Sequence, residues 1–158
     1  MIELVAYLAI FSAVSVLAIE SLVSSMKNFS DLRVSEHILS SAQVGMDRMA
    51  YEIRRAKSVD ESKSTFGTNT GKLVLNTTDD QGSDTTISFF LQNGMLEISE
   101  GDAAGVALTR NDTPVTQFSV NELSAKHGSG VKVDLTLGGE GASAEHFENT
   151  ILFRNQES

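Results

Sequence analysis

The sequence predicts an α+β fold: a long N-terminal α-helix, projecting in its first half and packed in its second against a C-terminal antiparallel β-sheet. Three observations carry this expectation. Residues 4–19 (LVAYLAIFSAVSVLAI) hold no charge, and only Ser12 and Ser15 interrupt the apolar run. No Pro or Gly precedes Gly45, and Gly45 is the only Gly before Gly67. After Phe66 the apolar period changes from helical to two. The 158 residues are enough for one globular domain of ordinary size. They divide into an apolar, membrane-like helix segment (1–24), an amphipathic helix packed on the sheet (25–60) and an antiparallel β-sheet head (61–158).

The apolar run lies between Glu3 and Glu20 and is 16 residues long. A spanning helix needs roughly 20 apolar residues, with about 17 as the lower limit. Met1 and Ile2 bring the run to that limit if Glu3 is tolerated. A secretory signal would carry a positive region ahead of its apolar core, yet no Lys or Arg precedes Lys27. A helix apolar on every face is also more than a small domain can bury. The expectation is therefore a segment that needs lipid or sister copies.

Beyond it, apolar residues recur at Phe29, Leu32, Leu39, Ala42, Met46, Met49, Ile53 and Ala56. From Leu39 the spacings are 3, 4, 3, 4 and 3, one stripe of a helix. Leu39, Met46, Met49 and Ile53 are the expected packing residues. The opposite face is expected to be charged, with Arg48, Glu52 and Arg55 at spacings where side chains meet. The helix is expected to fade over 58–65, where β-branched and turn residues collect. Some 58 helical residues would extend about 85 Å at 1.5 Å each, so the first half must project.

Leu73 and Leu75, then Ile87, Phe89 and Leu91, alternate with polar neighbours as strands do. Gln92-Asn93-Gly94-Met95 reads as a type I′ hairpin turn into a strand at 95–99. Further strands are expected at 105–110, 115–123, 131–137 and 147–154. Val131, Val133, Leu135 and Leu137 form the cleanest alternation. Gly/Asp/Ser-rich breaks at 79–84, 100–104, 126–130 and 138–144 separate the strands. One sheet with one wet face is the expectation, its dry face covered by the helical stripe.

Charge is distributed unevenly. Six basic and six acidic residues lie in 1–58, so the whole net charge of -9 belongs to the remainder. An acidic balance argues against nucleic acid as an electrostatic partner. With no Cys there is neither a disulfide framework nor a thiolate site. His37, His127 and His146 stand isolated in the sequence, without an HExxH pair or a nucleophile elbow. The run from Asp79 to Asp84 is rich in oxygen but lacks the spacing and closing Glu of a calcium-binding EF-hand, so a solvated turn is expected. Asn28, Asn76 and Asn111 head Asn-x-Ser/Thr triplets, which arise often by chance. Arg54-Arg55-Ala56-Lys57 is too short for a nucleic-acid patch and suits a helix C-terminus. No catalytic residue, cofactor or metal set is expected, and an enzyme is the least supported class.

The opening MIELVAYLAIF, followed by an uninterrupted helix and a C-terminal sheet, resembles the type IV pilin and type II secretion pseudopilin family. Glu3 matches the family's Glu close to the mature N-terminus. The stretch from Met46 to Ala56 (MDRMAYEIRRA) further resembles the helix of J-type minor pseudopilins. The specific motif covers about the first 20 residues, and the sheet carries no diagnostic residue. Family members have a basic leader ending in Gly, then a Phe and three more residues before the Glu. Here Met1 and Ile2 stand before Glu3, so removal of the leader or processing at an unusual place is expected. Many major pilins have a Pro in the apolar segment and a C-terminal disulfide, and neither is present. Main subunit and minor component both stay open.

The resemblance implies a subunit that a prepilin peptidase processes and that waits in the cytoplasmic membrane as a single-pass protein. Pilus assembly machinery would then extrude it into an extracellular homo-oligomeric helical filament on the bacterial cell surface. Ile2, Glu3, Leu4, Val5, Leu8, Phe11, Val14 and Leu17 are the expected assembly residues. Glu3 would pair with the N-terminal ammonium of an adjacent subunit. Two alternatives remain: a minor pseudopilin or pilus-tip component that primes assembly, and a single-pass membrane-anchored binding domain that never polymerises.

Overall fold

The structure is a computed structural model that describes residues 2–79, 81–125, 128–139 and 142–153. It is α+β: one long helix, α1 (Ile2–Arg55), is followed by eight strands. These are β1 (Ser58–Val59), β2 (Lys72–Thr78), β3 (Asp84–Gln92), β4 (Met95–Glu100), β5 (Val106–Ala107), β6 (Val115–Ala125), β7 (Gly128–Gly139) and β8 (Ala142–Leu152).

The helix ends three residues earlier than the onset of the expected fade. Ala56 still donates its N–H to Glu52 (2.9 Å), but Lys57 donates to Asn76 of β2 (2.8 Å). The chain then pairs as β1, with Ser58 opposite Asn76 and Val59 opposite Leu75. Ladder bonds of β2 thus take over where helical ones stop, and Arg54 and Arg55 occupy the last turn, favourable to the helix dipole.

The single expected sheet is two antiparallel sheets around one core. One has the order β1-β2-β3-β4-β5 and the other β6-β7-β8. The physical reason lies in 105–114. Only Val106 and Ala107 of the expected 105–110 strand pair with β4. Leu96 gives its N–H to the Thr109 hydroxyl instead of to a backbone carbonyl (2.9 Å), and Pro114 brings no N–H at all. Beyond that point the outer edge of β6 pairs with 67–71. Gly67 donates to Val120 (3.0 Å), Gly71 to Phe118 (2.7 Å), and Phe118 to Asn69 (2.8 Å). Gly71 is required at this junction, since a Cβ there would stand 2.9 Å from the Phe118 carbonyl oxygen.

Other local readings are realised. Asn93 (φ 52°) and Gly94 (φ 74°) both have positive φ, as a type I′ turn needs. Val131, Val133, Leu135 and Leu137 all point into the core. The β7 and β8 strands are longer than expected, with Gly139 paired to Ala142 inside the expected break over 138–144. Within the expected break over 126–130, β7 already begins at Gly128. His127, Asp80 and Arg154, which the expected features included, lie outside the described residues.

The helical stripe is shifted from the expected one. Met46, Met49 and Ile53 are buried with Ala42 and Ala56, but Ile38 fills the place assigned to Leu39. Leu39 is 54% exposed and Ile38 fully buried. Adjacent helical residues point about 100° apart, so the stripe turns inward through Ile38. Gly45 lies on this stripe, where a Cβ would approach Leu96 Cδ2 to 3.2 Å. The helix rests mainly on β7 and β8 and touches β2. Leu73, Leu75, Phe89, Leu96, Phe118 and Val120 complete the core.

Candidate functional site

Tertiary burial on α1 starts at Val34 and becomes complete at Ile38. The preceding 32 helical residues extend about 48 Å at 1.5 Å each. An 18-residue window in α1 has mean hydropathy 2.3, and none of it is buried. This helix is long and apolar enough to cross a membrane. Ile2, Leu4, Val5, Leu8, Phe11, Val14 and Leu17 are all exposed, and their positions cover every side of the helix. No face is set aside for the head.

The few polar groups in the segment are placed where they do least harm. The Ser15 hydroxyl donates to the carbonyl of Phe11 one turn back (2.8 Å), so its hydrogen bond is made within the helix. Glu3 lies in the first turn, where the helix dipole favours a negative charge. Glu20 is exposed at the far end of the apolar run. The structure places the eight expected assembly residues on this projecting part and brings none of them into contact with the head.

The head holds polar clusters that the sequence did not disclose. Glu52 is only 2% exposed, and its carboxylate meets Arg48 at 2.6 Å. Arg48 and Arg55 flank Tyr51 at 5.7 and 5.2 Å from its ring centre, and Arg55 donates to the tyrosine hydroxyl (3.0 Å). At the top of the head, Arg110 forms a two-point pair with Asp112 (2.9 and 3.0 Å). His37 Nδ1 lies 3.3 Å from the second oxygen of Asp112. The hydrogen bond from Arg110 holds the Asp112 carboxyl below the usual carboxylate range.

A further cluster lies on the outward face of β7 and β8. Asp134 is opposite Glu148 in the register, and His146 is opposite Thr136. Lys132 reaches Glu148 at 2.9 Å and Asp134 at 3.9 Å. The hydrogen bond between them lowers the Glu148 pKa and raises that of Lys132. His37 and His146, isolated in sequence, are therefore both beside carboxylates in space. The alternation at 131–137 put Lys132, Asp134 and Thr136 on one face, but only the cross-strand register shows what faces them.

The Asp79 turn uses its carboxylate internally, accepting the N–H groups of Gln81 (2.9 Å) and Ser83 (2.8 Å) on one oxygen. That is an Asx-type turn, as the solvated reading expected. Between α1 and β8 runs an open groove of about 600 Å³, lined by Leu39, Ala42, Met46 and Phe147 among others. It explains the exposure of Leu39, which faces the groove flank.

No family model, curated protein or solved structure matches the chain.

Proposed function

We propose that the chain is a structural, non-catalytic subunit of a type IV pilus-like filament, held in the cytoplasmic membrane by α1 before it polymerises. The observation that supports this reading most is a 54-residue helix whose residues 4–19 are apolar on every face and touch nothing in their own head. In water such a surface is costly at about 25 cal/mol per Å² of apolar area. Lipid removes that cost, and so does a bundle of copies of the same helix. Transfer between those two media changes little hydrophobic free energy, because both are dry. Close packing and polar groups then decide. Ala6, Ala9, Ser12, Ala13, Ser15 and Ala18 let helices approach closely.

Glu3 supplies the polar term. A carboxylate in hydrocarbon costs several kcal/mol unless it protonates or finds a partner. The N-terminal ammonium of a neighbouring subunit is a partner of opposite charge, and its attraction strengthens as water is excluded. The acidic head stays in water outside the polymer, where its negative charge keeps subunits soluble.

The test is electron microscopy of material sheared from cells that express the chain, paired with a Glu3→Ala variant. Filaments built of this chain, lost or strongly reduced in the variant while the head stays folded, are the expected result. Only membrane-bound monomer would overturn the filament reading and favour a single-pass anchored binding domain. Normal filament yield from Glu3→Ala would remove the assigned role of Glu3.

A further inference from the structure

We propose that Asp134, His146 and Glu148 form a surface site for a divalent transition-metal ion of the zinc class, with Lys132 as the counter-ion that the metal displaces. The inference is independent of the filament reading, because it concerns only the outward face of β7 and β8. One ligand atom from each of the three residues lies within 4.8 Å of the others, and this is the one such group among the described residues. The register fixes the arrangement. Asp134 and Glu148 are directly opposite on neighbouring strands, and His146 follows on the same face. All three sit on a regular ladder, so their backbones are held by hydrogen bonds and only side chains need to adjust.

The imidazole geometry is the informative part. Nδ1 of His146 hydrogen-bonds the Thr136 hydroxyl at 3.1 Å, while Nε2 stands 3.7 Å from Oδ1 of Asp134. The Thr136 hydroxyl thus holds the ring through Nδ1, and in the tautomer with Nδ1–H donating to it the Nε2 lone pair is free to ligate on the side of Asp134. Ligand atoms around a tetrahedral zinc ion are separated by about 3.3–3.6 Å, given bonds of about 2.0–2.2 Å, so small side-chain rotations close the set. A ring nitrogen fixed by a hydrogen bond on its other side is the usual arrangement for a ligating His.

Both carboxylates already attract one cation, since the Lys132 ammonium lies 2.9 Å from Glu148 and 3.9 Å from Asp134. The lysine stem is flexible and partly exposed, so it can swing into water when a metal enters. One imidazole with two carboxylates favours zinc-class ions over calcium or magnesium, which prefer six or more oxygens. Three protein ligands leave a fourth position for water or an outside donor.

The experiment is isothermal titration of the full chain in detergent micelles with zinc chloride, and separately with magnesium chloride, each variant being checked for its fold by circular dichroism. Zinc binding is expected at one site, with magnesium giving none at the same concentrations. His146→Ala is expected to weaken zinc binding by at least about tenfold. Lys132→Met is expected to strengthen it by roughly fivefold, because a neighbouring positive charge is removed. Absence of zinc binding at millimolar zinc, or an affinity unchanged by His146→Ala, would overturn the assignment. So would a weaker affinity in Lys132→Met, which would give the lysine a supporting role.

Discussion

Replacing Ile38 and Leu39 by Ala, one at a time, tests where the helical stripe runs. Ile38 is fully buried between α1 and the sheets, and Leu39 is 54% exposed beside the groove. Truncating a buried Ile to Ala removes transfer energy and leaves a cavity, and costs about 2–5 kcal/mol. Leu39 keeps roughly half of its surface in water. Full burial of a Leu is worth about 1.5–3 kcal/mol, so Leu39→Ala should cost about 1 kcal/mol or less. The assay is urea unfolding of the full chain in a mild detergent, followed by circular dichroism at the wavelength of the sheet signal. With a slope of about 1–3 kcal/mol/M, Ile38→Ala should lower the midpoint by about 1 M or more. The Leu39→Ala midpoint should move by a small fraction of that. Equal shifts, or a larger one for Leu39→Ala, would refute the stripe and restore the one expected from spacing alone.

Arg48→Met leaves the Glu52 carboxylate buried without its 2.6 Å partner, and a loss of about 1–3 kcal/mol is expected in the same unfolding assay. Glu52→Gln, which removes the charge, should cost less. Gly71→Ala should destabilise the head by about 1–3 kcal/mol, because the new methyl would meet the Phe118 carbonyl at 2.9 Å. Hydrogen exchange should show β6 losing protection first. Asp112 should titrate below the usual carboxylate range because Arg110 donates to it. A lowered folded pKa means that its stabilisation is present at neutral pH and is lost as pH falls through that lowered value. Carbon-detected NMR titration should show Arg110→Gln moving the Asp112 pKa upward.

Long-period features of the sequence translate directly into structure. The absence of Gly and Pro before Gly45 leaves nothing to break α1. Asn93-Gly94 can take positive φ at both positions, so the hairpin was legible from two residues. The stripe was legible only in part, because Ile38 and Leu39 are both apolar and periodicity alone cannot choose between neighbours 100° apart. The shape of the partner surface makes that choice. The division into two sheets was not legible, since it depends on Thr109 and on the distant 67–71 segment. Glu52 reads in sequence as one more charge on a wet face. Its burial follows from the packing of α1 beside β2 and β3, where it lines a small polar cavity with Thr77 and Ile87. The Asp134–His146–Glu148 group needs the register between β7 and β8, which the Gly-rich break over 138–144 announces but does not set.

The continuity of α1 from its free apolar half into its packed half has a mechanical consequence. No Gly or Pro stands at the passage near Val34, so the rod has no hinge there at which it could yield. Tension applied along the free half arrives at Ile38, Ala42, Met49 and Ile53 together. It acts as shear along a seam about 22 Å long, which must slip as a whole. A sideways pull would instead lift the helix away from its upper end, opening Ile38 before Ile53. The head therefore resists force along the helix axis far better than force across it.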